Sequence, residues 1–302
     1  GMSIFRKKTI ILISSIIFAL SLISCKRTKA ESVKASTDSK KIQITATFYP
    51  LYIILMNITE GLPDVQLSLI APADTGCLHD YQLTTKDMKT IEDCDILVAN
   101  GAGMEDFLDK AIEIKKDATI IASEGFSLVE ENPHVWVSTK GELWIVKKIS
   151  EGLCKLDSKN AEVYKKNEAE YSAKVQKLAE KMHRQLKGIE GRKVITFHEA
   201  FPYFAQEFKL DTVAVIEREP GTEPSARELT DLISTIRSAG KDTMLFAEPQ
   251  YSSIAAQVIA SETGLEVQEL DPAVTGTLHK DAWLTAMENN LEVLKKNIEI
   301  GR

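Results

Sequence analysis

From residue 42 onward the chain alternates short apolar runs with amphipathic stretches. The runs at 42–47, 65–70, 96–99 and 119–121 are rich in Ile, Val and Leu and too short for helices, so they read as strands. Between them, 85–92 and 105–114 carry apolar residues at helical spacing. This rhythm predicts an α/β unit with a largely parallel sheet. It stops near residue 139, where Leu143, Ile145, Val146 and Ile149 predict a helix ending around Cys154. Asp157 and Ser158 offer a cap for the next one.

That next stretch runs to about Lys187 without Pro or Gly, and it is rich in Lys, Glu and Ala. Val163, Tyr164, Tyr171, Val175, Leu178 and Met182 recur at roughly helical spacing, and Gly188 is placed to end the element. A helix of about 30 residues is ~45 Å long, enough to run along two domains. A coiled-coil arm is the rival, but the apolar heptads are not sustained. Strand runs then return at 194–197, 213–216, 244–247 and 267–270, with helices near 201–208, 227–238, 254–263 and 281–298. Ser225 and Glu228 form a capping box. The expected fold is α/β with two lobes, each a mainly parallel four-stranded sheet with flanking helices, joined by one long backbone helix. The expected boundaries are 42–156, 157–188 for the helix and 189–302.

The first 41 residues follow other rules. Arg6, Lys7 and Lys8 precede an apolar run from about Ile10 to Ile23, too short to span a membrane comfortably and fitting a secretory signal. The run ends in Leu22-Ile23-Ser24-Cys25, which resembles a bacterial lipobox. The expectation is a signal peptide at 1–24 and a lipidated tether at 25–41, with Cys25 acylated and the protein exported and held at the cell envelope. An uncleaved anchor helix is the alternative. Residues 26–41 are Lys, Ser, Thr, Ala and Glu with a single Val, which cannot build a core.

Charge narrows the partners. The formal charge of −7 becomes −10 once the three cations before Ser24 are lost, and an acidic body argues against nucleic acid. With Cys25 set aside, Cys77, Cys94 and Cys154 remain, an odd number that argues against a disulfide framework. Cys94 and Cys154 read as small core residues.

Only five histidines occur, and three sit at strand-to-helix transitions: His79, His134 and His198. Asp271 occupies a fourth such place. The carboxyl ends of parallel strands face the ligand crevice, and two of these residues come from each lobe. Three imidazoles and a carboxylate make a donor set that suits zinc. The spacing contains no tight metal motif, so core, cap or surface roles stay open for each. His183 reads as a solvated helix residue and His279 as a surface one, while Trp136 and Trp283 read as packing residues.

Several motifs occur in order over about 250 residues: Gly76-x-x-His79-Asp80-Tyr81, Asp87-Met88, Asn100-Gly101, Asn132-Pro133-His134-Val135-Trp136, Phe197-His198-Glu199-Ala200-Phe201-x-Tyr203-Phe204, Glu223-Pro224-Ser225, Phe246-x-Glu248-Pro249-Gln250 and Leu270-Asp271-Pro272. With these the chain resembles the zinc- and manganese-binding substrate-binding lipoproteins of ABC transporters, the ZnuA/TroA-like group. The resemblance implies two α/β lobes linked by a backbone helix, with the metal held between them by His79, His134, His198 and Asp271. It implies a permease partner, a monomer tethered through Cys25, and no enzymatic role. Glu199 and Asp80 adjoin ligand positions and read either as partners that orient the imidazoles or, equally, as exposed loop carboxylates.

Two departures stand out. Relatives commonly carry Pro before the first ligand, where this chain has Leu78 with Cys77 beside it. Cys77 reads as an ordinary loop cysteine, with an auxiliary soft ligand as the alternative. The long His-rich loop of many zinc-specific relatives is missing before Asn132. A nitrogen donor at His198, where manganese-type relatives carry a carboxylate, favours zinc, with manganese or iron(II) as the alternative. A zinc hydrolase and a surface adhesin are the rival functions. The metalloprotease helix motif is not present around His198-Glu199.

Overall fold

The computed structural model describes residues 40–217, 223–249 and 254–300, with the side chains of Asp80 and Ile300 excepted; the expected signal, tether and Cys25 lie outside these residues. The first sheet holds β1 (Ile42–Ala46), β2 (Val65–Leu69), β3 (Ile96–Ala99) and β4 (Thr119–Ile121), all parallel in the order β2-β1-β3-β4. The second holds β5 (Lys193–Thr196), β6 (Asp211–Val215), β7 (Met244–Ala247) and β8 (Val267–Glu269), again parallel and in the matching order β6-β5-β7-β8. The two lobes therefore repeat one topology, and the expected architecture holds.

The strands are short and apolar because both faces are covered. Ile96 and Val98 of β3 face the large central core, while Leu97 packs outward with Ile70, Ile91 and Leu108. In the second lobe Met244 and Phe246 face the central core, and Leu245 faces a second cluster with Ile195, Ile216 and Ile259. Each lobe is thus a sheet between helical layers. Helices α1 (Tyr49–Ile58), α2 (Thr85–Asp93) and α3 (Asp109–Ile114) belong to the first lobe. The expected helix at 105–114 is split, with a 3-10 turn at Asp106–Leu108 ahead of α3. One reason is Glu105, whose buried carboxylate turns back to accept from the backbone N–H of Asn100 and Gly101 and from the Thr47 hydroxyl.

The connection between lobes is made by α4 (Thr139–Leu156) and α5 (Ala161–Gln185). The second is the expected long helix, shorter than its sequence envelope at 25 residues, or about 38 Å. Its buried stripe is Tyr164, Asn167, Tyr171, Val175, Leu178 and Met182. Asn167 is the polar member that an apolar pattern misses, and its Nδ2 donates to the carbonyls of Ile58 and Glu60 at the end of α1. Asp157 does not cap the helix: its carboxylate accepts from Tyr164 Oη and Asn160 Nδ2, and a 3-10 turn intervenes at Ser158–Asn160. Gly188 is no left-handed stop either. It lies in a 3-10 turn, Lys187–Ile189, where a Cβ would meet Ile298 Cγ2 at 3.0 Å. The second lobe adds α6 (Pro202–Phe208), α7 (Ala226–Ala239), α8 (Ile254–Thr263) and α9 (Ala282–Ile300), with the Ser225–Glu228 capping box in place.

One buried core runs from Ile44 and Leu51 through Trp136, Tyr171 and Val175 to Phe204, Trp283 and Leu291. The lobes are also stitched by hydrogen bonds. Tyr49 Oη donates to Thr277 O, Asn57 Nδ2 to Lys280 O, and Trp136 Nε1 to Pro272 O. Trp136 and Trp283 are packing residues, as expected, and the Trp283 indole donates to the Trp136 carbonyl. Of the other cysteines, Cys94 is buried and Cys154 half-buried.

Two positions near the start of α4 lend themselves to measurement. A Cβ on Gly141 would lie 1.8 Å from the Val135 carbonyl oxygen, a backbone atom that cannot move aside cheaply. Gly141→Ala is expected to destabilise by roughly 3 kcal/mol or more, read as a fall in the thermal midpoint; an unchanged midpoint would refute this packing. Glu142 is buried beside the Tyr171 hydroxyl, and burial raises its carboxyl to about 8. Between about 4.5 and 8 the folded state therefore holds a proton that the unfolded state has released, so stability falls as pH rises through that window. Glu142→Gln should flatten the decline of the thermal midpoint between pH 5 and pH 8, and parallel curves for the two proteins would contradict the assignment.

Candidate metal centre

The donors come from chain segments that leave the carboxyl ends of the parallel strands, where backbone N–H and C=O groups turn away from the sheet. Cys77 and His79 lie in the loop after β2, at and within the 3-10 turn Leu78–Asp80. His134 follows β4, and His198 stands two residues beyond the end of β5. Asp271 follows β8 in the same way, and Glu248 follows β7 directly.

Among the described residues, Cys77, His134 and His198 form a buried group whose donor atoms all lie within 4.8 Å of one another. His134 Nε2 and His198 Nε2 are 3.3 Å apart, and Cys77 Sγ is 3.2 Å from the first and 3.7 Å from the second. The side-chain partners behind the rings fix their tautomers. Asn132 Nδ2 donates to the Glu199 carbonyl, so its Oδ1 is the accepting end, and it receives both the backbone N–H and the Nδ1–H of His134. On the other side His198 Nδ1 donates to the buried Glu248 carboxylate. With a proton on each Nδ1, both Nε2 atoms present lone pairs to the same small space. Burial and the neighbouring His198 and His79 rings push His134 well below the ordinary histidine range, keeping it neutral. Burial, with the Glu248 charge behind it, pushes the Cys77 thiol well up, so the ion-free site holds a thiol.

Of the other sequence-derived residues, His79 adjoins this group, while Asp271 is not part of it. The His79 ring is exposed, with its centroid 6.4 Å from that of His134. Asp271 is half-buried, and its Oδ1 accepts from the Ala273 N–H while burial holds its carboxyl above the usual range. It faces a cavity shared with Tyr49, Thr277 and His279, and its charge adds to the burial that raises Tyr49 to about 12. Glu199 meets Asn132 through its backbone carbonyl, and the carboxylate behind His198 belongs to Glu248. Glu248 carried a signal in the sequence, an acid at the end of an apolar run in the second lobe, but no spacing tied it to His198. His183 lies half-exposed against Phe208 and near Glu207, and the side chain of His279 is 64% exposed, in keeping with surface roles.

The chain as a whole is similar to several known proteins. The model of the family described as "Zinc-uptake complex component A periplasmic" matches residues 44–297. The high-affinity zinc uptake system protein ZnuA of Bacillus subtilis is 30% identical over 296 residues, covering 88% of this chain and 91% of its own length. The zinc-binding protein AdcA of Streptococcus pyogenes is 27% identical over 98% of this chain, which spans only 62% of the AdcA length. Among solved structures, the solute-binding protein FpvC of Pseudomonas aeruginosa in complex with Mn2+ superposes with a TM-score of 0.79 at 27% identity, covering 87% of this chain and all of that one. Two like lobes on a long helix, imidazoles turned toward one point, and a match over more than four-fifths of the sequence lead to one conclusion: the chain belongs to the zinc-uptake complex component A family of periplasmic binding components.

Proposed function

We propose that this protein is the extracytoplasmic component of an ABC importer, which captures a divalent transition-metal ion between its lobes and delivers it to a membrane permease. Zinc is the preferred ion, with manganese or iron(II) as the lesser alternative. The observation that carries the reading is the pair of Nε2 lone pairs 3.3 Å apart in a buried space. Two lone pairs repel at that distance, and a cation between them turns the repulsion into two coordinate bonds. His134 and His198 are the fixed ligands in this reading, and His79 and Asp271 are the donors that close over the ion once it is held. Zinc suits imidazole better than manganese does, which favours oxygen. Zinc also appears in the names of the Bacillus and Streptococcus relatives.

Tethering through a lipid on Cys25 completes the proposal. No helix among the described residues is long and apolar enough to cross a membrane.

Competitive titration of the metal-stripped full chain tests the assignment. One zinc ion per chain is expected, bound at least tenfold more tightly than manganese. His134→Ala and His198→Ala should each abolish tight binding. Glu248→Ala should weaken it by roughly 10–100-fold through loss of ring orientation. Equal affinity for the two metals would remove the zinc preference, and tight binding by His198→Ala would remove the site.

A further inference from the structure

We propose that Cys77 is itself a ligand, its thiolate completing a fixed sulfur and two-nitrogen set with His134 and His198, so that the cargo is a thiophilic ion. The inference rests on the metal-capture reading and goes beyond it, because it places a cysteine in a site otherwise expected to consist of histidine and carboxylate.

The distances argue for it. With Zn–N bonds of about 2.05 Å and a Zn–S bond of about 2.3 Å, tetrahedral angles set two nitrogens about 3.3 Å apart and a nitrogen and sulfur about 3.6 Å apart. The observed separations are 3.3 Å between the nitrogens and 3.2 and 3.7 Å to the sulfur. Three vertices of the coordination tetrahedron are thus set before any ion arrives. The other described cysteines behave differently: Cys94 Sγ donates to the Ile91 carbonyl and Cys154 Sγ to the Ala161 carbonyl, both backbone acceptors. Cys77 instead points at two imidazole nitrogens. In the ion-free protein its S–H proton fills the space by facing the His134 lone pair. When the ion enters, the S–H bond breaks, the proton leaves to solvent, and the sulfur electron pair bonds to the metal.

This donor set has a consequence for selectivity. A thiolate binds zinc, cobalt and copper(I) well and manganese poorly, whereas a carboxylate accommodates manganese as well as zinc. Cys77 therefore excludes manganese more strongly than three histidines would. The fourth vertex is left to one exchangeable donor, His79 or Asp271, which suits an ion that must be handed on.

Cobalt(II) is the probe. The metal-stripped full chain titrated with cobalt should show a thiolate-to-cobalt charge-transfer band in the near ultraviolet, together with visible bands of a tetrahedral ion. Cys77→Ser should lose the first and keep the second, and its preference for zinc over manganese should narrow by about tenfold or more. Zinc-edge X-ray absorption on the unmutated chain needs no variant and should show one sulfur at about 2.3 Å. Identical cobalt spectra for the two proteins, or a zinc shell of nitrogen and oxygen alone, would overturn the role of Cys77 and leave metal capture standing. Failure of the unmutated chain to bind cobalt or zinc would overturn both.

Discussion

The segment 132–138 is the constraint on which the rest of the molecule depends. It is largely buried, so its backbone polar groups need protein partners, and those partners come from both lobes. Asn100 Nδ2 reaches the Pro133 carbonyl from the first lobe. Tyr203 Oη and the Trp283 indole reach the carbonyls of Asn132 and Trp136 from the second. Ser138 caps α4 through the Gly141 N–H, which presses that helix onto the Val135 carbonyl. His134 is therefore held by a backbone with few ways to move.

From that anchorage a chain of obligations passes outward. Glu105 fixes Asn100, Asn100 fixes Pro133, and the amide of Asn132 can turn only one way because Glu199 O takes its N–H. The tautomer of His134 follows from an amide orientation, and that of His198 from a carboxylate. Neither ring would have to rotate to meet an ion held in the proposed way, so little ordering entropy would be lost on binding. Glu105 meets the cost of this order: even with three hydrogen bonds to its carboxylate, burial raises it to about 7.

The fold was legible because its signals are local. Three of the eight strands among the described residues, at 96–99, 119–121 and 244–247, begin and end where the apolar runs do, and the Ser225 capping box is a four-residue pattern. The ends of the long helix were not, because Asp157 is claimed by Tyr164, a partner seven residues on, and Gly188 answers to Ile298 from another helix. Of the four candidate ligands read from residue types at strand ends, His134 and His198 approach one another where the lobes meet. Glu248 and Cys77 were harder to see. A carboxylate behind an imidazole leaves no trace in spacing, and a loop cysteine looks the same in sequence whether it faces solvent or two histidines. Only the turn of the chain after β2 separates those cases, placing Cys77 inside and His79 outside.

That turn also bears on time. The three clustered donors are almost wholly shielded from solvent, so an ion seated among them is not exchanged bond by bond with water. An ion held in this way would wait on a collective opening of the loop after β2 away from the 132–138 segment, an event opposed by the packing of the seam as well as by the coordinate bonds across it. Residence time and affinity thereby become separable quantities. A docking partner that pries this seam apart would shorten the first without weakening a single metal bond in the closed form.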